Sequence, residues 1–117
     1  MILEKSVTAT VGKRETLPCT TTLPDPVDWY YMPSENETAR YICSAGHIVG
    51  NYSRRFTLTR DFQGDFSLVI QNVTLEDKGI YFCAEKIGLG LKHRIELTVD
   101  GKIIIEKCYK SISSIIQ

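Results

Sequence analysis

The sequence has neither an excess of charge nor a long apolar segment, and each absence argues against a class of protein. Its 117 residues include 14 Lys plus Arg and 14 Asp plus Glu, so the formal net charge is zero. Nucleic-acid-binding domains usually carry a basic excess, and no nucleic-acid partner is expected. No apolar run approaches the roughly 18 residues that cross a bilayer. Met1 is followed closely by the charged residues Glu4 and Lys5 rather than by a signal peptide's apolar core. The sequence is expected to be the soluble portion of a larger protein.

Motifs for catalysis or metal binding are also missing from the sequence. Its two histidines, His47 and His93, belong to no nucleophile motif, and there is no H-E-x-x-H, phosphate-loop or EF-hand pattern. Zinc-binding cysteines usually come in pairs two to four residues apart, and no such pair occurs. No enzymatic activity, metal or cofactor is therefore expected. His93 opens an alternating segment and is interpreted as a hydrogen-bonded core or edge histidine.

The cysteines and sequons indicate an oxidising, extracellular compartment. The four cysteines are widely spaced and even in number, which is typical of disulfides in exported proteins, and three pairings are open. They are Cys19, Cys43, Cys83 and Cys108. Three N-x-S/T sequons predict N-linked glycans, at Asn36, Asn51 and Asn72. We expect a protein that is secreted or displayed on the extracellular face of the plasma membrane.

Alternation of apolar and polar residues predicts an all-β chain. It is clearest in residues 66–71, where Phe66, Leu68 and Ile70 share one face. Short alternating runs at roughly 8–12-residue spacing, with turn signals between them, favour a β-sandwich or barrel. Pro18 lies inside the predicted strand at residues 15–20, where a bulge or a position without a ladder hydrogen bond is expected. The pattern ends at Val99, so residues 1–100 are expected to form one domain and residues 101–117 a tail, stalk or linker.

One set of spaced residues resembles a known family. Residues 77–83 read D-x-G-x-Y-x-C, and Trp29 lies ten residues after Cys19. With these residues the chain resembles an immunoglobulin variable-type (V-set) domain over about residues 5–99. The resemblance implies an immunoglobulin-like two-sheet β-sandwich with Greek-key connections. The implied strands are B around Cys19, C around Trp29, C′ at 40–44, C″ near 47–52, D at 56–60, E at 66–72, F at 79–85 and G at 93–99.

The resemblance assigns structural roles to several residues. It implies a disulfide between Cys19 and Cys83 and a tyrosine corner at Tyr81. It also implies that Asp77 pairs with an arginine at the start of strand D, either Arg55 or Arg54. The expected core residues are Trp29, Tyr81, Leu68 and Leu97.

The same alternation predicts a candidate binding surface. If Trp29 and Tyr81 point into the core, their neighbours Tyr30, Ile80 and Phe82 point outward on the sheet formed by strands G, F, C and C′. Exposed apolar side chains on one sheet favour a protein interface. Strand G adds two charged residues to the same surface, Arg94 and Glu96. The alternative is that long neighbouring side chains or the tail cover this surface.

The two remaining cysteines leave three alternatives open. Cys43 and Cys108 form a second disulfide within the chain, or Cys108 forms a bond between chains, or Cys43 is a buried thiol.

The resemblance points to recognition at the cell surface rather than to chemistry. Antigen-receptor chains carry F-G-x-G at the start of strand G, whereas residues 87–90 read I-G-L-G. The chain is therefore more similar to a leukocyte receptor or co-receptor ectodomain, in the broad class that includes fish immune-type receptors. It is expected to bind a protein ligand or a second V-set domain through the sheet face and the loops at one end of the sandwich, with a homodimer as one outcome. The alternatives are a homophilic adhesion domain and, less favoured, an antigen-receptor variable chain.

Overall fold

The computed structural model describes residues 3–20, 27–44, 46–59, 64–85 and 90–101. These residues form nine β-strands and two short 3₁₀ turns, at Gly50–Arg54 and Leu75–Asp77. No helix within the described ranges is long and apolar enough to cross a membrane. The strands are β1 (Leu3–Thr10), β2 (Glu15–Leu17), β3 (Val27–Met32), β4 (Arg40–Ser44), β5 (His47–Ile48), β6 (Phe56–Leu58), β7 (Leu68–Ile70), β8 (Gly79–Glu85) and β9 (Gly90–Asp100).

The strands form two sheets. The larger sheet has six strands in the order β1-β9-β8-β3-β4-β5, and the smaller has the order β2-β7-β6. β1 runs parallel to β9 in an unbroken register from the Leu3–His93 pair to the Thr10–Asp100 pair. All other neighbours are antiparallel. The architecture is an all-β immunoglobulin-like sandwich, as the sequence predicted.

The core lies between the sheets and contains the expected residues. Cys19 and Cys83 are joined by a disulfide that spans 64 residues of sequence. Trp29 is fully buried beside it and donates its indole N–H to the carbonyl oxygen of Phe66 at 2.9 Å. Leu68 and Leu97 are at most 1% exposed. The disulfide and the indole hydrogen bond therefore both connect the two sheets.

Several strands are shorter than the sequence pattern predicted. β2 ends at Leu17, directly before Pro18, because proline has no N–H to continue the ladder. β7 covers only Leu68–Ile70. The prediction of a strand near 47–52 was wrong beyond Ile48, because the chain turns at Gly50, which has φ of 51°, into a 3₁₀ turn.

A β-bulge interrupts the pairing of β3 with β4. Trp29 is opposite Cys43 and Tyr30 is opposite Tyr41, so Ile42 is the extra residue. Strict alternation would place residues 41 and 43 on the same face. The bulge instead leaves Tyr41 exposed while Cys43 is fully buried in the core.

The connections divide the sandwich into two ends. Every connection from an odd-numbered strand to the next even-numbered one lies at the same end, which we call the base end, at residues 11–14, 33–39, 49–55 and 71–78. A hydrogen bond from the N–H of Gly12 to the carbonyl of Val73, at 2.9 Å, joins two of these connections. Gly101 follows β9 at the base end. We call the opposite end of the sandwich the loop end.

Candidate functional site

Arg55 and Asp77 fix the base end of the sandwich. The Arg55 guanidinium donates to both Asp77 carboxylate oxygens, at 2.9 and 2.6 Å, and this bond raises the pKa of Arg55. The Asp77 carboxylate is buried and also accepts the N–H of Thr74 at 2.8 Å, which caps the Leu75–Asp77 turn. Of the two arginines that the sequence left open, Arg55 makes this ion pair.

Two tyrosines connect β3 and β8 to the backbone of the segment that contains Asp77. The Tyr81 hydroxyl donates to the carbonyl of Asp77 at 2.7 Å, and burial raises its pKa. The Tyr31 ring lies 4.9 Å from the Tyr81 ring, and its hydroxyl donates to the carbonyl of Lys78 at 2.6 Å. These contacts hold the inward side chains of both strands, and the outward side chains are positioned as a consequence.

The outward side of these strands carries an aromatic strip, which consists of Tyr30, Tyr41 and Phe82. Tyr30 lies opposite Phe82 on β8 and opposite Tyr41 on β4. The Tyr30 and Tyr41 ring centroids are 4.5 Å apart, and the Tyr30 hydroxyl donates to that of Tyr41 at 3.2 Å. This hydrogen bond, together with partial burial, raises the pKa of Tyr30 to about 12. Tyr41 remains 49% exposed, so the strip presents aromatic surface to solvent.

A charged cluster adjoins the aromatic strip. Arg94 lies opposite Phe82, and its guanidinium contacts the carboxylate of Glu35 at 3.1 Å and that of Glu96 at 4.0 Å. Glu35 and Glu96 are 77% and 57% exposed. Such exposed ion pairs add little to stability, roughly 0–1 kcal/mol. The cluster can therefore exchange its partners for those of another molecule at small cost to the fold.

Ile80 does not belong to the exposed face, contrary to the sequence prediction. Its register opposite Met32 and Glu96 is outward, but its side chain is only 5% exposed. Ile80 lines a groove of about 230 Å³ together with Pro33 and Glu35 from the connection after β3.

The family model of the immunoglobulin V-set domain matches residues 2–100 of this sequence. The chain belongs to the immunoglobulin V-set family. The D-x-G-x-Y-x-C residues described above thus have the roles that the resemblance implied: Asp77 in the ion pair, Tyr81 in the corner and Cys83 in the disulfide between the sheets.

Two curated relatives of this V-set chain are similar over most of it. The hepatitis A virus cellular receptor 2 homolog of Rattus norvegicus is 35% identical over 94 residues, which cover 69% of the chain and 32% of the relative. The tyrosine-protein phosphatase non-receptor type substrate 1 of Rattus norvegicus is 32% identical over 85 residues, which cover 70% of the chain and 17% of the relative. The chain thus spans a third or less of the length of these relatives.

Sequence reasoning missed two residues of the aromatic strip and the charged cluster, Tyr41 and Glu35. Tyr41 had a usable signal, because an antiparallel strand at 40–44 with Ile42 inward places Tyr41 outward beside Tyr30. Glu35 had none. It lies in a connection outside any alternating pattern, and only the fold brings it to Arg94, 59 residues later in the sequence.

The remaining candidate residues are not part of the aromatic strip. Asn36, Asn51 and Asn72 are all exposed. His93 is buried, and its Nε2 lies 3.3 Å from the backbone nitrogen of Thr20. Its role is therefore structural.

Cys43 has a core position rather than a surface one. It is fully buried, and its Sγ donates to the carbonyl oxygen of Val27 at 3.6 Å. Cys108 lies outside the described residues, so the bond between these two cysteines remains a prediction, as does the role of the tail. In the part of the chain that the structure describes, no three His, Cys, Asp or Glu side chains cluster as a metal site requires.

Proposed function

We propose that this V-set domain is the extracellular recognition domain of an immune cell-surface receptor or co-receptor, and that it binds a protein ligand through the aromatic strip and Arg94. The observation that carries the proposal is the row Tyr41–Tyr30–Phe82–Arg94 across four neighbouring strands of one sheet face. Tyrosine, phenylalanine and arginine are enriched in protein interfaces and supply much of the binding energy there.

The similarity to known proteins supports this proposal. One relative is by name a cellular receptor and the other the substrate of a tyrosine phosphatase. Neither name describes the activity of a catalyst. Both names support a role in recognition.

A homophilic adhesion domain is the second candidate, and the charged cluster favours it. Arg94 lies between two carboxylates, those of Glu35 and Glu96, so the face carries both signs of charge close together. A two-fold related copy could place its arginine against the carboxylates of the first, as a self-complementary interface requires.

Both candidates can be tested by staining an array of cell lines with tetramers of the chain. Each line expresses one surface protein, and one line displays this chain itself. Phe82→Glu and Tyr41→Glu place charge on the strip and are expected to weaken staining roughly tenfold or more. Thr57→Glu, at an exposed position of β6 in the other sheet, is the matched control and should stain as the wild type does.

The two candidates differ in which cells are stained. Staining of a cell line that displays a different protein supports the receptor, whereas staining confined to the chain's own line supports adhesion. Strip variants that melt like the wild type and stain equally well would refute binding through this face.

A further inference from the structure

All three asparagines of the chain lie in N-x-S/T sequons, and all three lie at the base end. Asn36 is in the connection from β3 to β4, Asn51 in the 3₁₀ turn between β5 and β6, and Asn72 in the connection from β7 to β8. Each asparagine is exposed. The other end of the sandwich and the strands of the binding face carry no asparagine in the sequence.

Contacts at the base end bring the three sequons around one segment, residues 72–79. Arg55 donates to the carbonyl of Asn72 at 3.0 Å and binds Asp77. Tyr52, the middle residue of the second sequon, borders a cavity of about 170 Å³ together with Asp77.

The residue directly before the first sequon lies near the same segment. Glu35, which precedes Asn36, lines the groove that contains Lys78 and Gly79. The three positions therefore surround one end of the sandwich rather than being scattered over it.

Gly101, the last described residue, lies at this end as well. A Cβ on Gly101 would be 3.0 Å from Cδ2 of Leu75, in the turn that follows Asn72. The sequon positions and the exit of β9 therefore share one end. The aromatic strip lies on the middle of the sheet face, between that end and the loop end.

We propose that N-linked oligosaccharides on Asn36, Asn51 and Asn72 form a collar around the base end and leave the aromatic strip and the loop end uncovered. At each site the side-chain amide nitrogen forms a bond to C1 of N-acetylglucosamine. The donor is an oligosaccharide on a lipid diphosphate. Its C1–O bond breaks, the diphosphate leaves, and the amide gives up one proton. The proposal shares with the proposed function only the extracellular location.

Mass spectrometry of the chain secreted from mammalian cells tests occupancy. Enzymatic removal of N-glycans in ¹⁸O-water should convert all three asparagines to labelled aspartates. Each of the variants Asn36→Gln, Asn51→Gln and Asn72→Gln should remove one glycan mass. A site that is unmodified in most molecules would overturn the collar. Gln is preferred to changes at Thr74, because Thr74 caps the turn before β8.

The chain's own lysines test coverage without any ligand. Lys13 lies beside the third sequon, since its carbonyl accepts the N–H of Val73 at 2.9 Å. Lys78 lines the groove next to Glu35. Lys5, on β1 opposite Ile95, is the internal control, and all three lysines are exposed.

Acylation with a polyethylene-glycol ester of several kilodaltons should be severalfold slower at Lys13 and Lys78 than at Lys5 in the glycosylated chain. Asn72→Gln should restore labelling at Lys13, and removal of all three glycans should equalise the three lysines. Equal labelling in the fully glycosylated chain would refute the collar. This result is independent of the tetramer staining, so a failure of the collar and a failure of ligand recognition are distinguishable.

Discussion

Two adjacent arginines with the same charge have different surroundings in this domain. Arg54 is exposed at the end of a 3₁₀ turn, whereas the Arg55 guanidinium donates two hydrogen bonds to the buried carboxylate of Asp77. Arg55→Ala leaves that carboxylate without its counter-charge, and it should cost about 2–4 kcal/mol of unfolding free energy. Arg55→Lys keeps the charge but loses the two-point geometry, so its loss should be intermediate. Urea unfolding at neutral pH measures these differences.

Arg54→Ala is the matched control for this pair. This substitution should change the unfolding free energy by no more than about 0.5 kcal/mol, the usual range for surface substitutions. A comparable loss in both alanine variants would mean that general surface charge, rather than the Arg55–Asp77 contact, stabilises the base end.

At the same scale, Phe82 and Ile80 show what reasoning by alternation predicts and what it does not. Alternation gives the direction in which a side chain leaves its strand, and for Tyr30, Phe82 and Ile80 that direction was right. Exposure depends in addition on what covers the side chain. Ile80 is 5% exposed and shares a groove with residues of the connection after β3, which no pattern within residues 79–85 could reveal.

At the scale of the strand, the space around Gly79 explains why β8 begins with glycine. Its φ is 150°, and a Cβ there would lie 2.8 Å from the carbonyl oxygen of Met32 and 2.7 Å from the Tyr31 ring. The Met32 oxygen is backbone and cannot move aside without displacing β3. Gly79→Ala should therefore lower the unfolding free energy by about 2–4 kcal/mol, measurable as a lower midpoint in thermal unfolding followed by circular dichroism.

Gly12→Ala provides the comparison for Gly79. Gly12 has a positive φ of 85°, but a Cβ there would meet nothing within 4 Å. Gly12→Ala should therefore lower the unfolding free energy by about 1 kcal/mol, from backbone strain alone. If the two alanine variants were equally destabilised, the close approach of β3 to Gly79 would not be the reason for the glycine.

The sequence predicted which strands form better than it predicted their details. The family resemblance carried by D-x-G-x-Y-x-C implied β8 and the roles of Asp77, Tyr81 and Cys83. The bulge at Ile42 depends on how β4 pairs with β3, and nothing in residues 40–44 alone specifies an extra residue. For this reason the orientation of Cys43 became clear only in the folded chain.

At the scale of the whole molecule, the Cys19–Cys83 disulfide connects the two sheets across 64 residues of sequence. Closing a loop of that length in the unfolded chain is worth about 4 kcal/mol in the chain-entropy model. The double variant Cys19→Ala/Cys83→Ala should lose about that much stability in guanidinium unfolding, and reduction of the wild type should give a similar loss.

Cys43→Ala is the control for this prediction. It removes one buried sulfur but leaves the cross-link in place, so its loss should be nearer to 1 kcal/mol. A double variant that unfolds at the wild-type denaturant concentration would show that packing around Trp29 alone holds the sheets together.

The parallel pairing of β1 with β9 gives the domain a defined response to mechanical force. β9 runs from the loop end to Gly101, and it is paired on both sides, with β1 and with β8. A molecule held at Gly101 and gripped at its loop end would be pulled along the length of β9. The inter-strand hydrogen bonds would then be loaded together in shear, because they run across the strands, rather than being opened one after another. Such a domain would transmit tension between its two ends before it yields.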